Sequence, residues 1–317
     1  MKRIGILTRD CAGVNAAIRA IVRSADARGT EVFGVLRGYE GLMAGTVTAL
    51  DRRSVSSIIN LGGTILKSAR SEGFYAAEGR RRAAEKVRAL GLEGLIVVGG
   101  NGSLTGAHLL AVEHGLRVVG LPATIDNDVS GVEMTLGADT AVNVALDALD
   151  KIRDTATSLE RIFVVEVMGR GCGWIAMQVA LAGGCEEVLL PEHGFELETM
   201  VREIQAGAAR GKMSWIIVVA EGKARAHEVA AEVTRATGLE TRIAVLGHLQ
   251  RGGRPTSFDR ILAARLGHAA VETLLAGQTD VLVSLKDNVV ETLSLAEAIV
   301  PKVRDLADDY RLLKLLS

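Results

Sequence analysis

Short apolar runs alternate with amphipathic stretches along most of the chain. Several runs have the length and composition of buried strands: Ile4–Leu7, Val32–Leu36, Leu95–Val98, Val118–Leu121, Ile162–Val167, Val188–Leu190, Trp215–Ala220, Ile243–Leu246 and Val281–Ser284. Many of the intervals have helical spacing: Gly13–Ala27, Arg80–Leu90, Gly106–His114, Thr140–Thr155, Gly173–Ala182 and Leu197–Arg210. Strands separated by helices form parallel sheets through right-handed crossovers. The pattern therefore predicts an α/β protein with mainly parallel sheets.

Composition narrows the class of protein. The 317 residues are 48% hydrophobic, which is enough for a large core and for two domains. The net charge of −1 gives no global field for nucleic acid or an anionic membrane, and no apolar run reaches the length of a membrane span. Cys11, Cys172 and Cys185 have neither CxxC spacing nor a disulfide framework, which indicates a reduced, cytoplasmic protein.

The stretch "ILTRDCAGVN" joins the first predicted strand to the first predicted helix. In α/β proteins such junctions hold phosphates through backbone N–H groups on a glycine-rich turn. Here the turn carries Arg9 and Asp10 and has no glycine before Gly13. Two interpretations remain open: a phosphate loop that has been rebuilt, or one that has lost its function.

A glycine-rich stretch, "VVGGNGSLTGA", follows another predicted strand. Its glycines would let the backbone approach a phosphate, and Ser103 could cap the next helix or bind an oxygen. The stretch has neither the spaced-glycine dinucleotide fingerprint nor a Walker lysine. A purely structural turn is the alternative.

The loop "GLPATIDNDVSG" places Asp126 and Asp128 one residue apart, just after Thr124. Two carboxylates this close can have different roles: one can accept a proton from a hydroxyl, and the other can hold Mg²⁺. The alternative is a solvated acidic turn with Asx hydrogen bonds.

Loops after three later strands add cations and a carboxylate. Arg170 in "VVEVMGRGCGWIA" could clamp phosphate oxygens, or it could cap the following helix in solvent. Glu221 in "VVAEGK" could bind sugar hydroxyls. Arg242, His248 and Arg251 in "TRIAVLGHLQRGGRP" suit a phosphate, although a single histidine is often structural.

Taken together, these motifs resemble the 6-phosphofructokinase family over essentially the whole chain. The most specific segments are "GGTILKSAR", "PATIDND", "VVEVMGR", "LAGGCEE" and "TRIAVLGHLQRGGRPTSFDR". The resemblance implies two Rossmann-like three-layer domains with mainly parallel sheets and an active site in the cleft between them. It assigns residues 1–137 and about 250–300 to a nucleotide domain, and about 138–249 and 301–317 to a sugar-phosphate domain.

The resemblance also implies phosphoryl transfer to the 1-hydroxyl of fructose 6-phosphate. Asp126 matches the general base, Thr124 a residue beside the transferring group, and Asp128 an acidic group near the metal. Arg170 matches the cation that stabilises the transferring phosphoryl. The matches to the sugar-phosphate pocket are Met168, Gly169, Glu221, His248 and Arg251, with Arg161 and Arg242 supplied across a subunit interface of a homotetramer.

The half of the site that would bind the phosphoryl donor departs from the family pattern. The family's Gly-Gly-Asp turn is replaced by "TRDCAG", its metal-binding aspartate by Asn101, and a small residue by Lys67. The candidate nucleotide-binding residues, which include these departures, are Arg9, Arg70, Gly100, Asn101, Gly102 and Ser103. Either the added positive charges of Arg9 and Lys67 replace part of the charge of Mg²⁺, or metal binding is lost and an anion-binding site without metal remains. The small residues Gly102 and Ala123 favour ATP over pyrophosphate as the donor.

Bacterial members of the family bind effectors such as ADP or phosphoenolpyruvate between subunits. The matching residues are Arg19, Arg23, Arg52, Arg153, Gly184, Glu186, Arg210, Gly211 and Lys212. A solvated basic face is the alternative for these residues.

The sequence therefore predicts a cytoplasmic, homotetrameric, Mg²⁺-assisted ATP-dependent 6-phosphofructokinase that binds neither nucleic acid nor membrane. The alternative is a weakly active or inactive paralogue that binds fructose 6-phosphate as a regulatory subunit or sensor.

Overall fold

The computed structural model describes residues 1–194, 197–301 and 303–317. The chain divides into two compact units, each built from discontinuous segments. The first unit contains Met1–Thr124, Asp128–Thr140 and Gly252–Lys302. The second contains Ile125–Asn127, Ala141–Arg251 and Val303–Ser317. The predicted domain segments include residues 195, 196 and 302, which lie outside the described residues.

The strands are short and mostly separated by helices. In chain order they are β1 Arg3–Thr8, β2 Glu31–Val35, β3 Val47–Leu50, β4 Gly94–Gly99, β5 Val118–Pro122, β6 Ile162–Val167, β7 Glu187–Leu189, β8 Trp215–Ala220, β9 Thr241–Val245, β10 Val281–Lys286 and β11 Val289–Ser294. The helices are α1 Val14–Asp26, α2 Gly38–Ala44, α3 Ala77–Ala89, α4 Asn101–His114, α5 Ala138–Ser158, α6 Trp174–Ala182, α7 Leu197–Ala209, α8 Ala226–Thr237, α9 Ser257–Leu275, α10 Leu295–Ala298 and α11 Ala307–Leu316. Short 3-10 helices cover Gly73–Tyr75 and Gly247–Arg251.

The first unit contains a seven-stranded sheet in the order β11-β10-β5-β4-β1-β2-β3. All its neighbouring strands are parallel except the two edge strands, β3 and β11, which pair antiparallel with β2 and β10. Thr8 at the end of β1 is paired with Val98 near the end of β4. The segments that follow these two strands therefore start side by side.

The second unit contains a parallel four-stranded sheet in the order β7-β8-β6-β9. Val167 at the end of β6 pairs with Ala220 at the end of β8, and Glu166 pairs with Val245 at the end of β9. Because parallel strands end at one edge, the three following loops are neighbours. These loops carry Met168–Arg170, Glu221 and the 3-10 helix at Gly247–Arg251.

The predicted α/β class with mainly parallel sheets is confirmed, and each predicted strand and helix overlaps an observed one, with shifted ends. The edge strands β3 and β11 were not predicted. β10 turns into β11 through Asp287 and Asn288, which have φ of 49° and 62°. Positive φ at two consecutive residues is the geometry of a tight hairpin turn, and it favours Asp and Asn. Within the described residues, no helix is long and apolar enough to cross a membrane.

Asp259 anchors the start of α9 in the first unit. It is fully buried, and its carboxylate accepts hydrogen bonds from the N–H groups of Gly137 and Thr140, each at 2.9 Å, and from the Thr140 hydroxyl. Burial raises the pKa of Asp259 above its ordinary value, against the lowering effect of these hydrogen bonds. The side chain thus satisfies several buried donors at the cost of being desolvated.

Replacing Asp259 with Ala leaves two backbone N–H groups buried without an acceptor. We expect the free energy of unfolding to fall by about 2–4 kcal/mol at neutral pH, as measured by urea denaturation. Because the pKa of Asp259 is raised in the folded state, the stability that this residue contributes decreases as the pH rises through that pKa. The difference in the free energy of unfolding between parent and variant should therefore be larger at lower pH and shrink as the pH rises. Asp308→Ala, at an exposed position, is the control. An unchanged unfolding midpoint in Asp259→Ala would contradict this account of α9.

Candidate active site

A carboxylate and a guanidinium face each other in the second unit. Asp126 is only 4% exposed, and the Nε atom of Arg170 lies 3.5 Å from Asp126 Oδ2. Asp126 is therefore not part of a solvated acidic turn. The Arg170 side chain remains 66% exposed, so its other donors face solvent. A buried carboxylate that can accept a proton thus lies beside a cation that can bind phosphate oxygens.

Glu221 holds the loop that carries Arg170. Its Oε1 atom accepts hydrogen bonds from the N–H groups of Gly169, at 3.2 Å, and Arg170, at 2.9 Å. The next residue, Gly222, lies so close to this loop that a Cβ there would be 1.8 Å from the Arg170 carbonyl oxygen. Glu221 therefore positions the loop, a contact that sequence reasoning did not predict.

The same loop has an unusual backbone. Gly169 has a φ of 141°, and a Cβ there would be 2.4 Å from the Cys172 carbonyl oxygen, so only glycine fits without strain. Arg170 has a φ of 52°, which is uncommon for a residue with a side chain. Helix α6 begins after Gly173, whose N–H donates to Glu192 Oε1 at 2.7 Å. Arg170 therefore does not cap this helix, which removes the structural alternative for it.

Gln250 fixes the other end of the loop. This fully buried side chain accepts the Met168 N–H through Oε1 at 2.8 Å and donates to the Ala141 carbonyl at 3.4 Å. It lies in the 3-10 helix between the predicted phosphate ligands His248 and Arg251. His248 is exposed, and the Nε atom of Arg251 is buried with no hydrogen bond to the described residues. The motif "GHLQRGG" therefore carries a structural residue that sequence reasoning missed.

Arg161 and Arg242 share one acidic partner. Arg161 Nε donates to Glu240 Oε2 at 2.8 Å, and Arg242 pairs with the other oxygen of the same carboxylate. The predicted sugar-phosphate arginines are thus held together by Glu240, which sequence reasoning did not single out. Their predicted place in a neighbouring subunit's pocket stays a prediction.

The predicted glycine-rich loop of the first unit is largely helical. Helix α4 begins at Asn101, so the predicted start at Gly106 is wrong. Gly100 is its N-cap, and no side chain caps the helix, so Ser103 is not the cap. Gly102 and Gly106 have weak helix propensity, which made the segment resemble a loop. The tertiary contacts of α4 with β4 and β5 override that preference.

The start of α4 lies beside the second acidic residue of the "TIDND" motif. Asn101 Nδ2 donates to the Asp128 backbone carbonyl at 3.3 Å. A Cβ on Gly100 would be 3.1 Å from Thr124 Cβ, so Thr124 approaches the same helix start. The first unit thus brings together Gly100, Asn101, Thr124 and Asp128. The Asp128 carboxylate and the Asn101 amide oxygen are a small donor set, and the described residues contain no cluster of three or more His, Cys, Asp or Glu side chains suited to a metal.

The turn after β1 is fastened to the segment that contains "GGTILKSAR". Thr8 and Thr64 share a hydrogen bond between their hydroxyls at 2.9 Å, and Asp10 Oδ1 accepts the Thr64 N–H at 2.8 Å. Asn15 donates to the carbonyls of residues 61, 62 and 63 and accepts the N–H of residue 65. Arg70, at the end of this segment, is exposed. The turn is therefore a well-bonded structure in spite of its missing glycines.

The predicted effector residues fall into two groups, one in each unit. In the first unit, Arg19 and Arg23 on α1 have buried Nε atoms without hydrogen bonds to described residues, and Arg52 pairs with Asp26 at the end of α1 at 3.1 Å. In the second unit, Arg153 donates to the carbonyls of residues 183 and 184.

The rest of the second group surrounds Glu186. Lys212 Nζ lies 3.2 Å from Glu186 Oε1 and 4.8 Å from the ring centre of Trp215. The other oxygen of Glu186 accepts the Ile216 N–H at 2.7 Å. Arg210 and Gly211 follow directly after α7, in the turn before Lys212. Within each unit the predicted residues are therefore neighbours.

Comparison with known proteins gives a family match over most of the chain. The family model described as phosphofructokinase matches residues 3–274. The chain is 48% identical over 319 residues to the ATP-dependent 6-phosphofructokinase of Halalkalibacterium halodurans, covering 100% of both chains. It is 50% identical over 303 residues to ATP-dependent 6-phosphofructokinase 1 of Thermus thermophilus, covering 94% of each.

Solved structures of the same family share the fold. The phosphofructokinase of Saccharomyces cerevisiae matches with a TM-score of 0.88 and 35% identity over 94% of this chain, which spans 45% of the yeast chain. A pyrophosphate-dependent phosphofructokinase from Marinobacter aquaeolei matches with a TM-score of 0.87 over 98% of this chain and 88% of its own. At 23% identity, the second likeness concerns the fold alone.

The positioning role of Glu221 predicts a specific change in backbone protection. Glu221→Ala removes the acceptor for the N–H groups of Gly169 and Arg170, so their exchange with deuterium should accelerate about 10–100-fold. Glu221→Gln keeps an acceptor oxygen and should retain most of the protection. Hydrogen exchange read by NMR or mass spectrometry measures both, with Glu232→Ala on the exposed side of α8 as the control. Unchanged exchange in Glu221→Ala would show that the loop is held by other contacts.

Proposed function

We propose, on the premise that this chain belongs to the phosphofructokinase family, that it transfers the γ-phosphoryl group of ATP to the 1-hydroxyl of fructose 6-phosphate. The observation that carries the proposal is the pair of Asp126 and Arg170, with the Arg170 loop held by Glu221 and Gln250. Phosphoryl transfer depends mainly on positioning and on neutralising charge, and this arrangement serves both.

The acceptor side uses residues of the second unit. Asp126 takes the proton of the 1-hydroxyl as the oxygen attacks the phosphorus, and Arg170 stabilises the negative charge on the transferring group. His248 and Arg251 bind the 6-phosphate of the sugar, and Met168 and Gly169 line the pocket. Glu221 uses Oε1 to hold the loop and has Oε2 for a sugar hydroxyl. Arg161 and Arg242, joined by Glu240, complete a neighbouring subunit's pocket in a homotetramer.

The donor side uses residues of the first unit. ATP binds at the start of α4 through Gly100, Gly102 and Ser103, with Arg70 reaching the nucleotide. Mg²⁺ fits this half only as an ion carried by the phosphates, because magnesium is commonly held by one or two carboxylates together with substrate oxygens. Asp128 and the amide oxygen of Asn101 would hold it, and when bound the ion neutralises charge on the phosphates.

We further propose regulation and location from the same premise. Each group contributes to an effector site for ADP or phosphoenolpyruvate between subunits of the homotetramer, because clustered Arg and Lys side chains suit phosphates. The Nε atoms of Arg19 and Arg23, which bond to none of the described residues, support a ligand at the first group. The enzyme works in the cytoplasm.

A second candidate function is favoured by the structure of the turn after β1. Asp10 Oδ1 accepts the Thr64 N–H, and the amide of Asn15 is bonded to the backbone of residues 61–63 and 65. Asn101 supplies no charge to a metal. A paralogue with an intact sugar-phosphate pocket and little kinase activity, acting as a regulatory subunit or sensor, would have this combination.

A coupled assay separates the two candidates. The purified chain is given fructose 6-phosphate with MgATP and, separately, with pyrophosphate, and formation of fructose 1,6-bisphosphate is followed. We expect turnover with MgATP and little with pyrophosphate. Binding of fructose 6-phosphate in calorimetry without turnover with either donor would support the sensor and contradict the kinase.

Removing the Asp126 carboxylate tests its role directly. Asp126→Ser deprives the acceptor hydroxyl of its base but leaves the phosphate-binding cations in place. Turnover should fall about 10²–10⁴-fold, the usual size of a general-base contribution, while the affinity for fructose 6-phosphate changes little. Asp147→Ser, on the exposed face of α5, is the control. If Asp126→Ser keeps full turnover, the base lies elsewhere, and Asp128→Ser becomes the next test.

A further inference from the structure

Arg9 lies directly beside the start of α4. Its backbone N–H donates to the Val98 carbonyl at 2.9 Å, which continues the pairing of β1 with β4. A Cβ built on Gly99 would lie 3.2 Å from Arg9 Cγ and 2.7 Å from Ser103 Oγ. Because Gly99 has no side chain, the stem of Arg9 and the hydroxyl of Ser103 meet over its backbone.

The Arg9 guanidinium is oriented but its charge is not neutralised. Its Nη1 atom donates to the Ala69 carbonyl at 2.7 Å, and this is its only side-chain hydrogen bond among the described residues. Among the residues that the structure describes, no carboxylate forms an ion pair with the Arg9 guanidinium. The adjacent Asp10 accepts the Thr64 N–H. Arginine has five N–H donors, so several remain for a ligand.

The start of α4 offers further unused groups. The helix has 14 residues; the Ser103 N–H donates to the Gly100 carbonyl at 2.9 Å, and no side chain caps the N–H groups that precede it. Ser103 is only 7% exposed, yet its hydroxyl makes no hydrogen bond with the described residues. A hydroxyl that bonds to none of the described residues, next to a helix N-terminus and an unneutralised guanidinium, favours an anion with several oxygens.

We propose that Arg9 binds the polyphosphate of the phosphoryl donor and supplies part of the charge that Mg²⁺ would otherwise supply. The proposal rests on the function proposed above, because it specifies how the donor half of that site works. Asn101 is a neutral ligand, so of the two residues proposed to hold Mg²⁺ only Asp128 carries a charge, whereas Arg9 is a permanent positive charge. The donor site should therefore bind polyphosphate with little dependence on Mg²⁺.

Calorimetry with tripolyphosphate and with ATP, each in Mg²⁺ and in EDTA, tests this inference. For the parent chain, we expect affinities in the two media within about tenfold of each other for each ligand. Arg9→Gln keeps a donor for the Ala69 carbonyl but loses the charge. It should weaken binding in EDTA about 10–100-fold, the usual size of a charged hydrogen bond, and weaken binding in Mg²⁺ much less.

Two further variants keep the test independent of folding. Arg82→Ala removes the same charge from the exposed face of α3 and should leave both affinities unchanged. Arg9→Lys keeps the charge and should recover much of the binding in EDTA. Unchanged binding in Arg9→Gln, or an equal loss with and without Mg²⁺, would overturn the inference. The coupled assay remains a separate test of the proposed function. If the parent turns over but the Arg9 variants bind tripolyphosphate as tightly as the parent does, only this inference is overturned. If tripolyphosphate binding depends on Arg9 but the parent shows no turnover, only the kinase function is overturned.

Discussion

One carboxylate oxygen holds the loop on which the acceptor chemistry depends. Glu221 Oε1 accepts the N–H groups of Gly169 and Arg170, and these two residues have φ values that extended or helical chains do not adopt. Glycine adopts positive φ without strain, but for Arg170 the conformation costs about 1–3 kcal/mol and persists only where surrounding contacts fix it. Because the loop is fixed, the Arg170 guanidinium stays near the buried Asp126 carboxylate. The charge pair is therefore arranged by the protein before any ligand binds, which is how electrostatic stabilisation becomes effective.

The donor half follows a different physical logic. Its turn is short and rigid, with Thr8, Asp10 and Asn15 bonded to the segment at 61–65. Where the family pattern has a glycine turn and a metal-binding aspartate, this chain has Arg9 and the neutral amide of Asn101 beside the start of α4. An arginine side chain moves more than the backbone does, so it positions phosphates with less precision than backbone N–H groups would. It does, however, provide a positive charge without a metal ion. The acceptor half therefore positions its ligand more firmly than the donor half does, and the proposed reaction needs both halves.

Sequence patterns predicted the strands that form continuous apolar runs. β4 and β8 are buried along their whole length, and β6 is buried except at Phe163. The start of α4 could not be predicted, since Gly102 and Gly106 disfavour a helix in isolation and only contacts with the sheet stabilise it. The edge strands β3 and β11 have exposed, mixed patterns that resemble loops.

The site was predicted to the extent that its residues are charged and stand in recognisable motifs. Asp126 and Arg170 were found this way, although nothing in the sequence fixes the distance between residues 44 positions apart. Gln250 and Glu240 were missed because they act on other protein groups, and a neutral amide or a surface glutamate has no motif of its own. Their roles follow only from which backbone N–H or guanidinium the fold places against them.

The proposed site combines a complete acceptor half with a donor half in which Arg9 supplies part of the charge that Mg²⁺ would otherwise supply. The most direct measurement is steady-state turnover of fructose 6-phosphate across a Mg²⁺ titration. The parent is compared with a variant that carries Asn101→Asp and a Gly-Gly insertion between Arg9 and Asp10. The account predicts lower turnover and a shallower Mg²⁺ dependence for the parent, with both rising in the variant. Equal turnover and equal Mg²⁺ dependence in the two proteins would contradict it.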